Sequence, residues 1–177
     1  MSSNGSDIMS LLKIDGLSLH DRIDIKNRYW KNLNRTNCYA YALGLDVPEE
    51  EIMDGAFHVL GKMAISTDLE MTDEDMYYIS SIERLEMDLD FLHLKYEEAG
   101  PFDLVKDNEW LIAFFNCPYN LYGDFHFARR NDAGLWVHKL GWKGKLSVHD
   151  DQNKLIINPK KAGFDFYVFE KCLKLRK

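Results

Sequence analysis

Apolar positions keep helical spacing over one long stretch of this chain. Met76, Ile79, Ile82, Leu85 and Leu89 span about four turns, with Thr72 as a candidate N-cap and Asp75 three residues on. The period then changes. Leu92, Leu94 and Tyr96 alternate with His93, Lys95 and Glu97, which predicts a half-buried strand ended by Gly100-Pro101 and makes His93 a solvent-facing strand residue. Further apolar runs follow at Trp110 to Phe115, Phe125 to Arg129, Leu135 to Leu140, Leu155 to Ile157 and Phe164 to Phe169, separated by Pro, Gly, Asn and Asp. Asn131-Asp132-Ala133-Gly134 is placed to turn the second of these into the third.

Upstream, the pattern is shorter and more polar. Tyr39 to Leu43 predicts a short buried helix, capped by one of the polar residues 34 to 37 and ended by Gly44. Pro48 suits the first turn of a second helix through Ile52, where Glu49, Glu50 and Glu51 complement the dipole. A third helical segment runs from about Ala56 to Met63, and Ile8 to Ile25 reads as a short helix or loop. Residues 1–7 are polar and read as a disordered N-terminus, leaving residues 8–177 as one domain. Helices first and an antiparallel sheet afterwards define an α+β class.

Composition narrows the function more than the fold. The 177 residues are 46% hydrophobic and 13% aromatic, enough for one dense core. No apolar stretch approaches the roughly 18 residues of a membrane span, and no basic segment leads into an apolar one at the N-terminus. Three cysteines without Cys-x-x-Cys spacing argue against a disulfide framework and a thiolate zinc site, so a reducing, cytoplasmic setting is expected. The net charge of −7, from 22 basic and 29 acidic side chains, opposes binding to phosphate backbones. A nucleic-acid reading would rest on Lys139, Lys143, Lys145, Lys160 and Lys161 with Trp142, and it is the weakest of those weighed.

The candidate chemistry lies in Asn37-Cys38-Tyr39-Ala40-Tyr41-Ala42 and in two downstream histidines, His126 in Asp-Phe-His-Phe and His138 in Trp-Val-His-Lys. A cysteine in the first turn of a helix meets unpaired N–H groups and the positive end of the dipole, which favour the thiolate. Strands joined by the turn at residues 131–134 would place His126 and His138 side by side, one as base and the other orienting it. Cys117 and Cys172 adjoin apolar runs and read as structural. The competing reading makes Cys38 a small buried hydrophobe as well. A metal centre needs three or four converging ligands, and no His-x-x-x-His pattern is present, so no metal or other cofactor is expected.

A cysteine at a helix start, a histidine on a strand and a second histidine about a dozen residues later on the next strand resemble the papain-like cysteine peptidase fold in its bacterial NlpC-type (CHAP-like) form. The stretch from about residue 34 to 170 is also similar to uncharacterised bacterial proteins reading Asn-Cys-Tyr-x-Tyr-Ala and His-Lys-x-Gly. The resemblance implies Cys38 as nucleophile, His126 as general base and His138 as the residue that orients its imidazole. A second assignment keeps Cys38 and makes His138 the base, oriented by Asp150, Asp151 or Asn158. The oxyanion would be held by the Cys38 N–H with Asn34, Asn37 or Tyr39. The expected activity is hydrolysis of an amide or isopeptide bond in a peptide or protein substrate, by a peptidase, amidase or deamidase without nucleic-acid or membrane partners. A noncatalytic protein-binding module on the same fold is the alternative.

Overall fold

The computed structural model describes residues 37–45, 59–65, 78–118, 124–140 and 146–177. Within them the chain forms three α-helices, α1 (Cys38–Leu43), α2 (Lys62–Ile65) and α3 (Ser81–Phe91), a short 3₁₀ helix (Pro159–Lys161) and six strands. The strands are β1 (Lys95–Ala99), β2 (Glu109–Asn116), β3 (Phe125–Arg130), β4 (Trp136–Lys139), β5 (Leu146–Ser147) and β6 (Val168–Arg176). They make one sheet in the order β1-β6-β2-β3-β4-β5, antiparallel at every pairing. The α+β class is therefore observed, and no helix among the described residues is long and apolar enough to cross a membrane.

Side-chain alternation along β2 sorts the interior into two cores. Trp110, Ile112 and Phe114 face the helices and pack with Cys38, Tyr39, Leu43, Leu85, Leu89 and Phe127. Leu111, Ala113 and Phe115 face the other way and pack with Ala128, Trp136, Ile156, Phe164 and Cys172. With both faces covered, β2 reads as a continuous apolar run, and each fully buried Leu or Phe contributes roughly 1.5–3 kcal/mol. A bulge in the pairing of β2 with β6 falls between Phe114 and Phe115. The outer strand β1 exposes Lys95, Glu97 and Glu98, charges that discourage further strand addition.

A buried carboxylate ties the helical layer together. Asp88 of α3 accepts hydrogen bonds from the Tyr39 hydroxyl at 2.8 Å, the Gly61 N–H at 2.6 Å and the Ala64 N–H at 2.9 Å, linking all three α-helices. Gly61 holds φ of 87°, and a Cβ there would lie 2.9 Å from the Arg84 side chain, so the close approach of the two segments requires glycine.

Several element boundaries differ from the pattern-based expectation. α3 starts at Ser81, because Ser80 and Glu83 form a reciprocal capping box; Thr72 and Met76 lie outside the described residues, as do Asp75, the Pro48 helix and the first residues of the Ala56 segment. Leu92 and His93 belong to the end of α3, since the Leu94 N–H returns to the Leu89 carbonyl and His93 takes φ of 55°; His93 is exposed, but in a turn. Leu155 to Ile157 gives only a bridge between His149 and Leu155. The last strand runs from Val168 to Arg176 and lies inside the sheet, between β1 and β2, whereas the run from Phe164 had suggested an earlier strand ending at Phe169.

Candidate active site

Strand alternation and register bring the two histidines together. His126 sits opposite Phe115 of β2, His138 sits opposite Ala128 of β3, and both imidazoles project to the face that carries Phe115, Trp136 and Phe164. His126 Nε2 lies 2.8 Å from His138 Nδ1, and His138 Nε2 lies 2.8 Å from the carbonyl oxygen of His149. A carbonyl can only accept, so His138 carries its proton on Nε2 and, as a neutral ring, accepts at Nδ1. His126 must then donate through Nε2, which leaves its Nδ1 as the unprotonated nitrogen of the pair that is not used in the bond between the rings.

Aromatic walls keep this pair neutral. The Phe164 ring meets both imidazoles edge-on at 5.0 Å, and the Tyr167 ring stacks on His126 at 5.2 Å. Burial pushes His126 down to about 3, with His138 adding to the effect. Burial likewise lowers His138, against the opposing pull of the His149 carbonyl, Asp151 and Asp150. The Tyr167 hydroxyl donates to Asp124 Oδ2 at 3.0 Å, and burial followed by the Asp124 charge holds the phenol well above its usual range.

Cys38 opens α1 as the sequence suggests. Asn37 is the N-cap, with its side-chain oxygen accepting from the Ala40 N–H at 2.9 Å, and Gly44 ends the helix with φ of 71°. The thiol is 6% exposed, and its surroundings oppose ionisation. Burial pushes it up to about 12, and Asp124 adds to this, while hydrogen bonds to the backbone of Phe127 and Tyr39 and the charge of Lys139 pull the other way. The resting thiol is therefore neutral, and the thiolate expected from a helix N-terminus is outweighed by desolvation.

The relation of Cys38 to His126 also departs from the spacing argument. Phe125 and Phe127 face α1, where the Tyr39 ring meets them at 5.7 and 4.9 Å, so His126 between them points to the opposite face. The thiol rests against the backbone of Phe127, the residue next to His126, and no hydrogen bond joins it to either histidine. The β3–β4 ladder extends from Arg130 to Ala128 and stops short of Phe127, the residue whose backbone the thiol meets.

The supporting residues divide clearly. Asn34 lies outside the described residues. The Asn37 side-chain oxygen is occupied as a cap, and the Tyr39 hydroxyl is occupied by Asp88, so in this arrangement neither points its polar group at an oxyanion beside Cys38. Asp150 accepts from the N–H groups of Gln152, Lys154 and Gly163, Asp151 from that of Asp165, and Asn158 from that of Lys160. All three accept from backbone N–H groups, Asp150 and Asp151 tying their turn to residues 163–165, and the group that orients His138 is the His149 carbonyl, which no side-chain motif could announce. Asp124, Phe164 and Tyr167 also went unassigned. Asp124 was visible in Asp-Phe-His-Phe, and Tyr167 only in a run that read as strand.

Cys172 lies in the core at 2% exposure, and Cys117 is buried after β2, its N–H donating to the Asp124 carbonyl. Lys139 is buried too, at 3% exposure, which removes it from any basic surface; Trp142, Lys143 and Lys145 lie outside the described residues. Among the described residues no group of three His, Cys, Asp or Glu side chains could hold a metal ion. Family models, curated proteins and solved structures give no match to this chain.

Proposed function

We propose that this chain is a cysteine-dependent hydrolase of an amide or isopeptide bond on a papain-like, NlpC-type scaffold, with Cys38 as nucleophile, His126 as general base and His138 as the orienting group. The observation that carries the reading is the directed chain from His126 Nε2 through His138 to the His149 carbonyl, which leaves His126 Nδ1 free to take a proton. The Cys38 thiol lies one residue away along β3. Since both groups rest neutral, the proton leaves sulfur as the bond to the substrate carbonyl forms, without a standing ion pair. The thiol must first swing past the margin of β3 toward the imidazole, and substrate binding is the event that selects that rotamer.

p-Nitrophenyl acetate, a generic acyl donor, tests the reading. The wild type should release nitrophenol with transient acetylation of Cys38, seen by peptide mass mapping, and His126→Ala should lower the rate by roughly 10²–10⁴-fold. Turnover retained in Cys38→Ala would sink the proposal. The second reading, a noncatalytic binding module, is favoured by one observation, the deep burial that pushes the Cys38 thiol up to about 12. It takes the lead if Cys38 is never acetylated while the protein remains folded.

A further inference from the structure

Lys139 is a buried charged side chain that the proposed mechanism leaves unused. A lysine at 3% exposure is rare in a protein interior, because its ammonium loses hydration there. Its position is set by the strand that carries His138. Trp136 and His138 face the second core, so Val137 and Lys139 face α1; Val137 packs with Leu146 and Val148, and Tyr41 of α1 packs against that cluster. The β3–β4 ladder has Ala128–His138 as its last pair, and Lys139 is the next residue of β4, on the same side of the sheet as Phe127, against whose backbone the Cys38 thiol rests. Cys38 of α1 and Lys139 of β4 are therefore both buried on the same side of the sheet, next to the last pair of the β3–β4 ladder.

We infer that Lys139 is the cation that stabilises the Cys38 thiolate once the thiol ionises, a positioning role in the same site that rests on the hydrolase reading. The other titratable groups around the thiol do not supply such a charge. Asp124, at the start of β3, opposes ionisation; Tyr167 is a neutral phenol tied to Asp124; His126 is a neutral imidazole on the far side of the strand; and Tyr39, on α1 itself, is turned to Asp88. The coupling is mutual: Lys139 favours the thiolate, and Cys38 favours the ammonium of Lys139, which burial otherwise pushes down to about 8. At neutral pH the lysine keeps most of its charge, so a cation is already in place when His126 takes the proton.

The test reads ionisation and not turnover. Cys38 alkylation by iodoacetamide is followed by peptide mass mapping at pH 7, with Cys117 and Cys172 as internal references. In K139M, which keeps an apolar stem of four atoms and removes the charge, Cys38 should react roughly tenfold or more slowly than in the wild type, since each unit of thiol pKa changes the thiolate fraction tenfold. K139R should keep the wild-type rate to within about threefold, because it restores the charge. K139Q repeats the neutral case should K139M not fold. Wild-type reactivity in the neutral variants overturns the inference, and an equal loss in K139R shows packing alone and overturns it as well. The hydrolase reading fails separately: dependence on Lys139 without acetylation of Cys38 keeps the electrostatic pair and removes the enzyme, whereas acetylation that survives K139M with unchanged alkylation does the reverse.

Discussion

At the scale of single residues, the site is governed by desolvation more than by helix polarity. A thiol in the first turn of α1 should be acidic by position, yet burial outweighs the six-residue helix and pushes Cys38 up to about 12, while the same effect drives His126 down to about 3. Two outcomes follow for a Cys38–His126 enzyme. Its rate should show no fall with a midpoint near 6.5, the ordinary histidine value, as pH drops from 8 to 5, because the base is already deprotonated throughout that window. A limb at about 6.5 that disappears in His126→Gln would contradict the neutral pair. Second, His138→Ala should lower the rate by roughly 10²-fold or more with the Cys38 alkylation rate unchanged, because it removes the acceptor that fixes the His126 tautomer but leaves the thiol's own partners, the backbone of Phe127 and Tyr39, in place. The candidate residues themselves were legible: Cys38 at a helix start and His126 beside His138 follow from local pattern and from the turn at residues 131–134. The face of the strand was harder to read. In Phe-His-Phe all three residues are apolar enough for burial, so alternation alone did not say which of them meets α1.

At the scale of elements, the helical layer depends on one buried carboxylate. Asp88 is fully buried, raised in pKa by that burial and held against it by the Ala64 N–H, the Tyr39 hydroxyl and the Gly61 N–H. Asp88→Ala strands two buried donors and a part-buried one, each buried donor worth about 1–3 kcal/mol when left unpaired, so a loss of at least roughly 2 kcal/mol in urea unfolding is expected. Tyr39→Phe removes one bond without stranding a donor and should lose about 1 kcal/mol. Equal losses in the two variants would show that Asp88 is not the node. This network was illegible in the sequence, because Asp88 falls on a helix whose carboxylates Glu83 and Asp90 face water and its partners lie 24, 27 and 49 residues away. The start of α3 was legible in principle, since Ser80 and Glu83 carry the capping-box spacing, but Thr72 with Asp75 offered a rival signal. The last strand was missed for a different reason. Glu170, Lys171 and Lys174 interrupt its apolar pattern, and only its place inside the sheet, with Lys174 paired to Glu97 at 3.0 Å, makes those charges compatible with a strand.

At the scale of the whole molecule, the two buried histidines couple folding to pH. The unfolded chain takes up a proton on each imidazole at about 6.5. The folded chain keeps His126 neutral down to about 3 and lowers His138 as well. Between those values the unfolded state binds more protons, so folded stability is complete above about 6.5 and is lost as the pH falls, by up to roughly 1.4 kcal/mol per pH unit for His126 alone. Carboxylates enter the balance too: Asp88, raised, favours the folded state as it takes up its proton, and Asp150, lowered by its three N–H partners, acts in the opposite sense. Comparison with a variant that lacks the imidazole therefore isolates His126 between pH 7.5 and 5. Urea midpoints should fall steadily across that window in the wild type and fall less in His126→Gln, whose side chain carries no titrating group. Equal slopes in the two proteins would mean that His126 is protonated in the folded state, and the hydrogen-bond direction that makes its Nδ1 the base would have to be reversed.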